Sequence, residues 1–430
     1  MKVHLKALGC RLNEAELEQW SHDFRTQGHT LVQNNEDADV VVLNTCAVTA
    51  DAGKKSRKLM NRLHRENPES KLVVSGCYAT LEADKVAEHL GVDLVVPNPQ
   101  KDQLPKMVMD KFAGNVMPLV AMEPGESNLF VRGRQRAFIK IQDGCRYRCT
   151  FCIVTVARGQ EKSRTIADIV EEIQRLQAQG IQEVVLTGVH VGGYGSDLDV
   201  SLYTLVKAIL SETDIPRIRF ASVEPWDLPD EFFQLFENKR LMPHMHLPLQ
   251  SGSDTVLRRM SRRCKTDSFR RLVEQARKSV PGFNVTSDII VGFPGETETE
   301  WRQTMEYVES VGFGHLHIFS YSAREGTKAS RLSNPVDEAV KKQRSIEMHQ
   351  LAERLKQEFA NSLLGQSVPV LWERQRQEEG GLARYSGYTP NFMKVETSVG
   401  NTVLLENRVV DTKLSTYDVD RQSLTGRVKT

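Results

Sequence analysis

Short apolar, β-branched runs alternate with helix-length stretches along most of this 430-residue chain. This alternation is the feature that most limits the possible folds, because it requires a parallel sheet with helices packed on its faces. The first hundred residues predict strands at Val3–Leu8, Val40–Leu43, Leu72–Val74 and Leu94–Val96. They predict helices at Glu14–Arg25, Asp51–Arg65 and Leu81–His89. A polar connector is predicted over Pro97–Asn128.

A second and longer alternation begins at Ala137. It predicts strands at Phe138–Ile141, Glu183–Leu186, Arg217–Ala221, His244–Leu247, Val285–Val291 and His315–Phe319, with helices such as Ile166–Ala178 between them. Six βα units without a closing sequence favour a partial (βα)6 barrel over a complete eight-stranded one. In such barrels the active site lies at the C-terminal ends of the strands.

The pattern changes after a long charged helix predicted over Val336–Leu364. Short alternating runs then predict strands at Val368–Trp372, Asn391–Thr397, Val403–Leu405 and Val409–Leu414, with breaks at Gly380-Gly381 and Gly400-Asn401. A segment of roughly 65 residues of this kind predicts a small all-β barrel. We therefore expect an α/β protein with three domains, at residues 1–115, 131–361 and 364–430.

Composition excludes several other classes of protein. A count of 57 Lys and Arg against 56 Asp and Glu, with 40% hydrophobic residues, argues against a disordered, collagenous or coiled-coil chain. No apolar run approaches the ~20 residues that a membrane helix needs, and the first residues lack the apolar stretch of a signal peptide. We expect a cytoplasmic protein with no membrane partner.

Seven cysteines in such a chain favour metal or redox chemistry over a disulfide framework. Cys145, Cys149 and Cys152 lie on one loop directly after a predicted strand. Three thiolates on one loop can hold a cubane iron–sulfur cluster and leave its fourth iron open. Zinc with a further ligand, and free cysteines that meet by coincidence, are the alternatives.

Three other cysteines share one structural position, because Cys10, Cys46 and Cys77 each follow a predicted strand of the first sheet. The C-terminal ends of neighbouring parallel strands lie at one edge, so these side chains can converge. The alternative is three unrelated buried cysteines that act as small apolar residues. Cys264 is left over, and we expect an unligated thiol there.

The cysteines lie in motifs that resemble those of the radical S-adenosylmethionine methylthiotransferases over nearly the whole chain. The motifs are Gly9-Cys10-Arg11-Leu12-Asn13, Asn44-Thr45-Cys46, Gly76-Cys77, Asp143-Gly144-Cys145, Ala157-Arg158-Gly159, Leu247-Pro248-Leu249-Gln250-Ser251-Gly252, Asp288-Ile289-Ile290-Val291-Gly292-Phe293-Pro294-Gly295-Glu296-Thr297 and Gly387-Tyr388-Thr389-Pro390-Asn391-Phe392. The last motif lies in a segment that resembles the RNA-binding TRAM domain of this family. The first motif is most similar to the branch that acts on threonylcarbamoyl-adenosine, since the isopentenyl-adenosine branch tends toward Gly-Cys-Gln-Met-Asn and the ribosomal-protein branch toward Gly-Cys-Pro-Lys-Asn.

The resemblance implies two [4Fe-4S] clusters, one on Cys145, Cys149 and Cys152 and one on Cys10, Cys46 and Cys77, with S-adenosyl-L-methionine as the second cofactor. The first cluster would cleave S-adenosylmethionine to a 5′-deoxyadenosyl radical, and the second would hold the sulfur to be inserted. The implied reaction adds a methylthio group to carbon 2 of N6-threonylcarbamoyladenosine at position 37 of tRNA. The implied partners are the tRNA anticodon stem-loop and an electron donor such as flavodoxin or ferredoxin. The alternatives are an isopentenyladenosine-37 tRNA, a ribosomal-protein aspartate, or a non-enzymatic iron–sulfur protein that binds RNA.

Weaker candidates for cofactor binding lie on the cysteine loop and at predicted strand ends. Phe151 is expected to contact the adenine of the cofactor, with plain packing as the alternative. Glu224, Gln250, Gly292 and Glu296 follow strands, where polar groups of the cofactor would lie. A helix-capping or turn role is the alternative for each of them.

Two arginines and two aromatic residues complete the set of candidates. Arg158 is expected to pair with the cofactor carboxylate and Arg164 with a tRNA phosphate, since a guanidinium binds either group with two donors. For both arginines, the alternative is a solvated position on the surface of the protein. Tyr388 and Phe392 are candidates to stack on unpaired anticodon-loop bases, with core packing as the alternative. For the two histidines of the strand at His244–Leu247, a structural role inside the barrel is favoured over metal binding.

Overall fold

The first hundred residues form a five-stranded parallel sheet in the order β2-β1-β3-β4-β5. The structure is a computed structural model that describes residues 1–47, 50–112, 135–377, 382–400 and 402–428. The strands of this sheet are β1 Lys2–Ala7, β2 Thr30–Leu31, β3 Val40–Thr45, β4 Lys71–Gly76 and β5 Val92–Val96. All six residues of the central strand β3 are buried, as expected for a strand covered on both faces.

The helices of this part are α1 Arg11–Thr26, α2 Ala50–Glu66, α3 Cys77–Leu81, α4 Ala83–Ala87 and α5 Leu104–Phe112. The single helix predicted over Leu81–His89 is wrong, because the chain leaves helical geometry at Glu82 (φ −128°, ψ 40°), between α3 and α4. The polar connector predicted over Pro97–Asn128 is also wrong at its start. Helix α5 forms there and buries Leu104 and Val108 against the sheet, while residues 113–134 lie outside the described chain.

The strands of the central part are β6 Arg136–Lys140, β7 Gln142–Asp143, β8 Lys162–Ser163, β9 Glu183–Thr187, β10 Arg217–Phe220, β11 His244–His246, β12 Asn284–Val291 and β13 His315–Ser320. β7 and β8 form a short antiparallel ribbon, and the other six strands form two parallel sheets, β6-β9-β10 and β11-β12-β13. A parallel bridge between Ser222 and His246 connects the two sheets. Within the described residues β6 and β13 do not pair, so the six strands make a partial barrel.

The helices of this part are α6 Val154–Arg158, α7 Ile166–Ala178, α8 Leu202–Glu212, α9 Asp254–Arg259, α10 Thr266–Ser279, α11 Glu298–Val311 and α12 Glu338–Asn361. α7, α8, α10 and α11 cover the outside of the barrel, whereas α6 packs against α3. The bounds of α7 are those predicted, because the Thr165 hydroxyl accepts a hydrogen bond from the backbone of Asp168 and fixes the first turn. Its apolar residues Ile169 and Ile173 pack into the central core. α12 packs against β13 and leads into the last part of the chain.

The last part is a closed five-stranded barrel in the order β14-β15-β16-β18-β17. Its strands are β14 Ser367–Gln377, β15 Leu382–Tyr388, β16 Lys394–Gly400, β17 Val409–Asp418 and β18 Ser423–Val428. The strand predicted at Val403–Leu405 is wrong, because the Leu405 side chain fills the barrel core from a loop. Strands β15 and β18 were not predicted, and Gly380-Gly381 and Asn401 lie outside the described residues.

The predicted fold class is confirmed: an α/β chain with parallel sheets and a small closed β barrel at its end. The boundaries placed at residues 115 and 131 fall outside the described residues, so the division into three domains stays a prediction. In the described ranges, no helix combines the length and the apolar character needed to cross a membrane.

Candidate cluster sites and the cavity between them

Three cysteines meet at the C-terminal edge of the first sheet. Cys10, Cys46 and Cys77 follow the neighbouring strands β1, β3 and β4. All three line the same cavity, and the Cys77 sulfur is among the groups whose charge raises the pKa of Cys10. The shared sheet edge therefore brings these three thiols together.

Two glycines and one asparagine allow the three loops to approach each other. At Gly9 (φ +138°) a Cβ atom would lie 2.7 Å from Cys46 Cβ, and at Gly76 (φ +96°) it would lie 2.3 Å from the Thr45 carbonyl oxygen. Only glycine fits either position. Asn13, from the first turn of α1, donates to the Thr45 carbonyl oxygen at 3.2 Å. These contacts fix the loop that carries Cys10 against the loop that carries Cys46.

The second set of cysteines lies on a loop whose ends are paired by the β7–β8 ribbon. Gly144 begins this loop with φ +71°, and a Cβ there would lie 1.9 Å from the Gln160 carbonyl oxygen. The Cys152 amide donates to the Cys149 carbonyl oxygen at 3.0 Å, which turns the chain back on itself. The loop thereby presents Cys145, Cys149 and Cys152 above the end of β6.

The chemistry of this loop fits a cubane cluster. Burial raises the pKa of Cys145 to about 12 and that of Cys152 to about 11, and the neighbouring thiols add to both shifts, so the three sulfur atoms are close. Arg262 Nη1 lies 3.7 Å from Cys149 Sγ as a hydrogen-bond donor. Iron deprotonates thiols that burial otherwise keeps neutral, and donors to the sulfur atoms stabilise the resulting cluster.

The first triad fits a cluster on the same grounds. Burial raises the pKa of Cys10, while the charge of Arg158 opposes that shift. Asn98 Nδ2 lies 3.7 Å from Cys77 Sγ as a donor. All of these cysteines are free thiols, so six sulfur ligands are available in two groups of three.

A buried group of carboxylates and one histidine lies beside the cysteine loop. His190 contacts Glu161 through Nδ1 and Asp227 Oδ2 through Nε2, the latter at 2.6 Å. Ligand atoms of Cys145, Glu161 and His190 lie within 4.8 Å of one another, so this set offers a single metal ion an alternative site that competes for Cys145. Sequence reasoning missed Glu161 and His190, because their partners are distant along the chain.

Glu224 lies in the same region with one carboxylate oxygen unused. Its Oε2 atom has no hydrogen-bond partner among the described residues, and it lies 3.9 Å from His190 Nε2. Burial raises the pKa of Glu224. A buried carboxylate oxygen near Cys145 suits a cationic group such as the ammonium of an amino acid.

A cavity of about 840 Å³ lies where the first sheet, the partial barrel and the C-terminal barrel meet. Its lining includes Cys10, Arg11, Cys46 and Cys77 from the first part, Phe138, Val154, Arg158, Thr286 and Asp288 from the partial barrel, and Lys356, Tyr388, Phe392 and Gln422 from the end of the chain. Val154 and Arg158 belong to α6, which directly follows the cysteine loop. The cavity therefore extends from the first triad to the neighbourhood of the second.

Histidines on alternate positions of β11 and β13 also line this cavity: His244, His246, His315 and His317. His246 Nε2 lies 3.1 Å from Asp288 Oδ1, and His244 Nε2 lies 3.3 Å from Thr286 Oγ1. The structure thus places the two predicted histidines inside the barrel. Sequence reasoning missed His315 and His317, although the same alternation marks them.

The two arginine candidates have partners within the protein. Arg158 is buried, and its Nη1 atom lies 2.8 Å from Glu16 Oε1 and 3.0 Å from Asp143 Oδ1. Arg164 Nη1 contacts Glu172 Oε2 at 2.5 Å. The cofactor contact predicted for Arg158 and the tRNA contact predicted for Arg164 gain no support from this geometry. Arg158 instead connects the first sheet to the cysteine loop.

Four other candidates lie away from the cavity lining. Glu296 accepts from the Gly292 amide at 2.9 Å and pairs with Arg344 at 3.0 Å, which favours the turn role that was its alternative. Gln250 is buried with φ +84°, and Phe151 packs against a small apolar cluster. Their predicted contacts with the cofactor remain untested.

Tyr388 and Phe392 lie at the junction between the two barrels. Their rings stack at 4.9 Å, Arg136 lies 4.5 Å from the Tyr388 ring, and Arg219 lies 4.6 Å from the Phe392 ring. Both rings line the cavity, outside the hydrophobic core of the small barrel. Stacking on RNA bases stays a prediction for both.

A partial parallel barrel with three close cysteines on the loop after its first strand defines a radical S-adenosylmethionine enzyme. The model of the Radical SAM superfamily matches residues 139–308, and that of "Uncharacterized protein family UPF0004" matches residues 2–97. A solved structure of the radical S-adenosylmethionine methyltransferase TsrM from Kitasatospora setae shares the fold, with a TM-score of 0.57 at 15% identity over 88% of this chain and 81% of that chain.

Within this class, the chain belongs to the methylthiotransferase family. It is 36% identical to the threonylcarbamoyladenosine tRNA methylthiotransferase MtaB of Bacillus subtilis, over 91% of this chain and 89% of that protein. The MtaB of Thermotoga maritima is also 36% identical, over 93% and 92%. The tRNA-2-methylthio-N(6)-dimethylallyladenosine synthase of Oceanobacillus iheyensis is 34% identical, over 96% and 82%. S-adenosylmethionine and [4Fe-4S] clusters are the cofactors of this family.

Proposed function

We propose that the chain adds a methylthio group to carbon 2 of N6-threonylcarbamoyladenosine at position 37 of tRNA. The cavity carries this proposal, because one space reaches from Cys10, Cys46 and Cys77 to the helix that follows the second cysteine loop. A sulfur donor and a radical source must reach the same base, and this arrangement lets them do so. Relatives at 36% identity carry this activity in their names.

Cys145, Cys149 and Cys152 hold the cluster that binds S-adenosylmethionine, and Cys10, Cys46 and Cys77 hold the second cluster. When bound, these groups supply the radical chemistry that an unreactive aromatic carbon requires. The Glu224 carboxylate, with its unused oxygen, binds the ammonium of S-adenosylmethionine. The walls of the cavity exclude water and hold the base close to both clusters.

The substrate of this reaction is a tRNA, held by its anticodon stem-loop. Helix α2 supports this, because six Lys and Arg between Lys54 and Arg65 are all exposed on it and no acidic residue lies among them. Such a face attracts a phosphate backbone. A small cytoplasmic electron carrier such as flavodoxin or ferredoxin supplies the electrons.

The direct test uses protein reconstituted with iron and sulfide under anaerobic conditions. The protein is mixed with S-adenosylmethionine, dithionite and an anticodon stem-loop that carries threonylcarbamoyladenosine at position 37. Mass spectrometry of the digested RNA should show 2-methylthio-N6-threonylcarbamoyladenosine, with 5′-deoxyadenosine in the supernatant. Release of 5′-deoxyadenosine without modified base would contradict the substrate, and absence of both would favour a non-enzymatic iron–sulfur protein.

Iron analysis tests the two sets of ligands separately. The wild type should hold ~8 iron per chain, the load of two cubane clusters. Cys77→Ala should hold ~4 iron and still form 5′-deoxyadenosine, whereas Cys149→Ala should hold ~4 and form none. Cys264→Ala is the matched control and should keep the full load. A full load in Cys77→Ala would remove Cys77 from the ligands.

Dimethylallyladenosine at position 37 is the second candidate substrate. It is favoured by relatives at 33–34% identity that carry the name of the dimethylallyladenosine synthase. A parallel reaction on a stem-loop with isopentenyladenosine decides between the two. We expect at least a tenfold preference, on the order of 1.4 kcal/mol, for the threonylcarbamoyl form.

A further inference from the structure

Arg11 occupies a distinctive position on the cavity wall. It is the first residue of α1, directly after Cys10, and its side chain lines the cavity. Its guanidinium carbon lies 4.8 Å from the centre of the Phe138 ring on β6. Contact with an aromatic face supports a guanidinium and leaves its N–H donors available in the plane of the group.

The charge of Arg11 has no carboxylate partner among the described residues. The other arginines on the same wall differ in this respect. Arg158 pairs with Glu16 at 2.8 Å, and Arg219 pairs with Glu183 at 3.2 Å. Arg11 is therefore a cation on the cavity wall that no carboxylate of the described residues neutralises.

Across the cavity from Arg11, β13 presents His315 and His317, and the neighbouring Asp288 carboxylate of β12 lies 3.1 Å from His246 Nε2. Burial lowers the pKa of His317, and the charge of Arg11 contributes to that shift. Burial lowers the pKa of the neighbouring His315 to about 4. Both histidines are neutral at physiological pH and offer hydrogen bonds, while Arg11 offers the charge. An anionic group that enters between α1 and β13 meets the cation Arg11 and two neutral imidazoles, while the Asp288 carboxylate already pairs with His246.

We propose that Arg11 binds the carboxylate of the threonyl group on the target base. This inference rests on the proposed function, which brings an N6-threonylcarbamoyl group into this cavity. That group ends in a free carboxylate, and a planar guanidinium can bind a carboxylate with two parallel N–H donors. The dimethylallyl group is a hydrocarbon and gives Arg11 nothing to bind. Arg11 is thus a specificity-determining residue for the modified base, next in sequence to a ligand of the second cluster.

Binding measurements on the reconstituted holoenzyme test this contact. Two fluorescein-labelled anticodon stem-loops are compared without S-adenosylmethionine, one with the free threonyl carboxylate and one with its methyl ester. The wild type should bind the acid at least about tenfold more tightly than the ester, as a charge-assisted pair predicts. In Arg11→Gln this ratio should fall to about one, because the acid loses affinity while the ester keeps its own. Arg11→Lys should restore part of the ratio.

The ester serves as the internal control for folding, since a damaged protein would bind both RNAs poorly. Arg302→Gln, which removes an exposed guanidinium from the outer helix α11, should leave the ratio at its wild-type value. An unchanged ratio in Arg11→Gln would overturn the proposal, and so would a variant that loses affinity for S-adenosylmethionine alone. Formation of the methylthio base by the wild type remains a separate readout, so the proposed function can stand if this contact fails.

Discussion

At the residue scale, Arg158 pairs with Glu16 at 2.8 Å and thereby joins the cysteine loop to the helix that follows Cys10. The positions of Cys10, Cys46 and Cys77 could be predicted, because the ends of adjacent parallel strands share an edge regardless of side-chain detail. The role of Arg158 could not, because its partner Glu16 is 142 residues away. Pairing over such separations depends on how the first sheet and its helices pack against the partial barrel, and no local pattern indicates it.

Glu183 is the most enclosed acidic residue of the barrel. Burial alone raises the pKa of Glu183, but the charges of Arg219, Arg136 and Arg217 lower it to about 2. Its Oε2 atom lies 3.2 Å from Arg219 Nη2, and the side chain is fully buried. The carboxylate therefore stays ionised and neutralises part of the charge of the three arginines, which lie on β6 and β10.

Glu183→Gln should lower the free energy of unfolding by about 3–5 kcal/mol at pH 7, because it leaves buried arginines without their counter-charge. Urea unfolding measures the change.

The pH dependence follows from the lowered pKa of Glu183. Its contribution is complete above the unfolded value of 4.5 and is lost as pH falls toward about 2. In Glu183→Gln, the free energy of unfolding should lose this part of its decrease at acid pH.

The exposed Glu66→Gln, which breaks a surface pair with Arg62, is the control and should leave the free energy of unfolding unchanged. A loss below about 1 kcal/mol in Glu183→Gln would contradict the structural role given to the buried carboxylate.

At the element scale, the C-terminal barrel docks through the turn between β15 and β16. Arg219 Nη1 donates to the Pro390 carbonyl oxygen at 3.0 Å, and Asn284 Nδ2 donates to the Asn391 carbonyl oxygen at 2.9 Å. Both donors belong to the first residues of barrel strands or lie close to them. The turn therefore covers the N-terminal end of the partial barrel, opposite the edge where the cysteine loop lies.

The sequence predicts individual strands of this small barrel but not this docking. β15 carries an alternating burial pattern from Leu382 to Tyr388, so the signal for it was present. The strand predicted at Val403–Leu405 is wrong because an apolar pattern indicates only burial, and a loop can bury a leucine as a strand does. This docking could not be predicted, since the turn takes part in it through main-chain carbonyl oxygens, which any sequence offers.

Phe392→Leu should loosen this docking. Phe392 has φ +66°, so leucine meets the same backbone strain while losing the ring contacts with Tyr388 and Arg219. The lost contacts are worth about 1 kcal/mol, which corresponds to roughly fivefold faster amide exchange in the turn at residues 388–394. Hydrogen–deuterium exchange with mass spectrometry measures the rate.

Leu404→Ala, an exposed side chain of the same barrel, should leave the exchange of that turn unchanged. Equal exchange rates in Phe392→Leu and the wild type would show that the ring contacts do not hold the two barrels together.

At the scale of the whole molecule, a buried ionic group connects the first sheet to the cysteine loop. Arg158 and Lys101 supply its positive charges, and Glu16 and Asp143 supply its negative ones. Burial raises the pKa of Glu16, but the charges of Arg158 and Lys101 lower it to about 2. Asp143 immediately precedes the cysteine loop, and Glu16 lies on the helix that begins after Cys10. The group thus fixes the distance between the two triads.

Arg158→Met should separate the two half-reactions. Without the guanidinium the first sheet and the cysteine loop lose their alignment, so methylthio product should fall at least tenfold, on the order of 1.4 kcal/mol. Formation of 5′-deoxyadenosine should persist, because Cys145, Cys149 and Cys152 keep their own loop. Chromatography of both products from one reaction gives the ratio.

The control Arg164→Met removes an arginine that pairs with Glu172 on the outer helix α7 and should leave that ratio unchanged. An equal decrease of both products in Arg158→Met would mean that the ionic group supports the cysteine loop alone.

Residues as far apart in the chain as Cys10 and Gln422 face the same cavity. During translation, the first sheet and the partial barrel leave the ribosome well before the final strands of the small barrel exist. A nascent chain therefore has thiols able to take up iron before it has an enclosed space in which a reactive species is contained. Because the small barrel is synthesised last, the cavity closes last. A chain that stops before the small barrel would hold its cofactors but lack the part of the cavity wall that protects them.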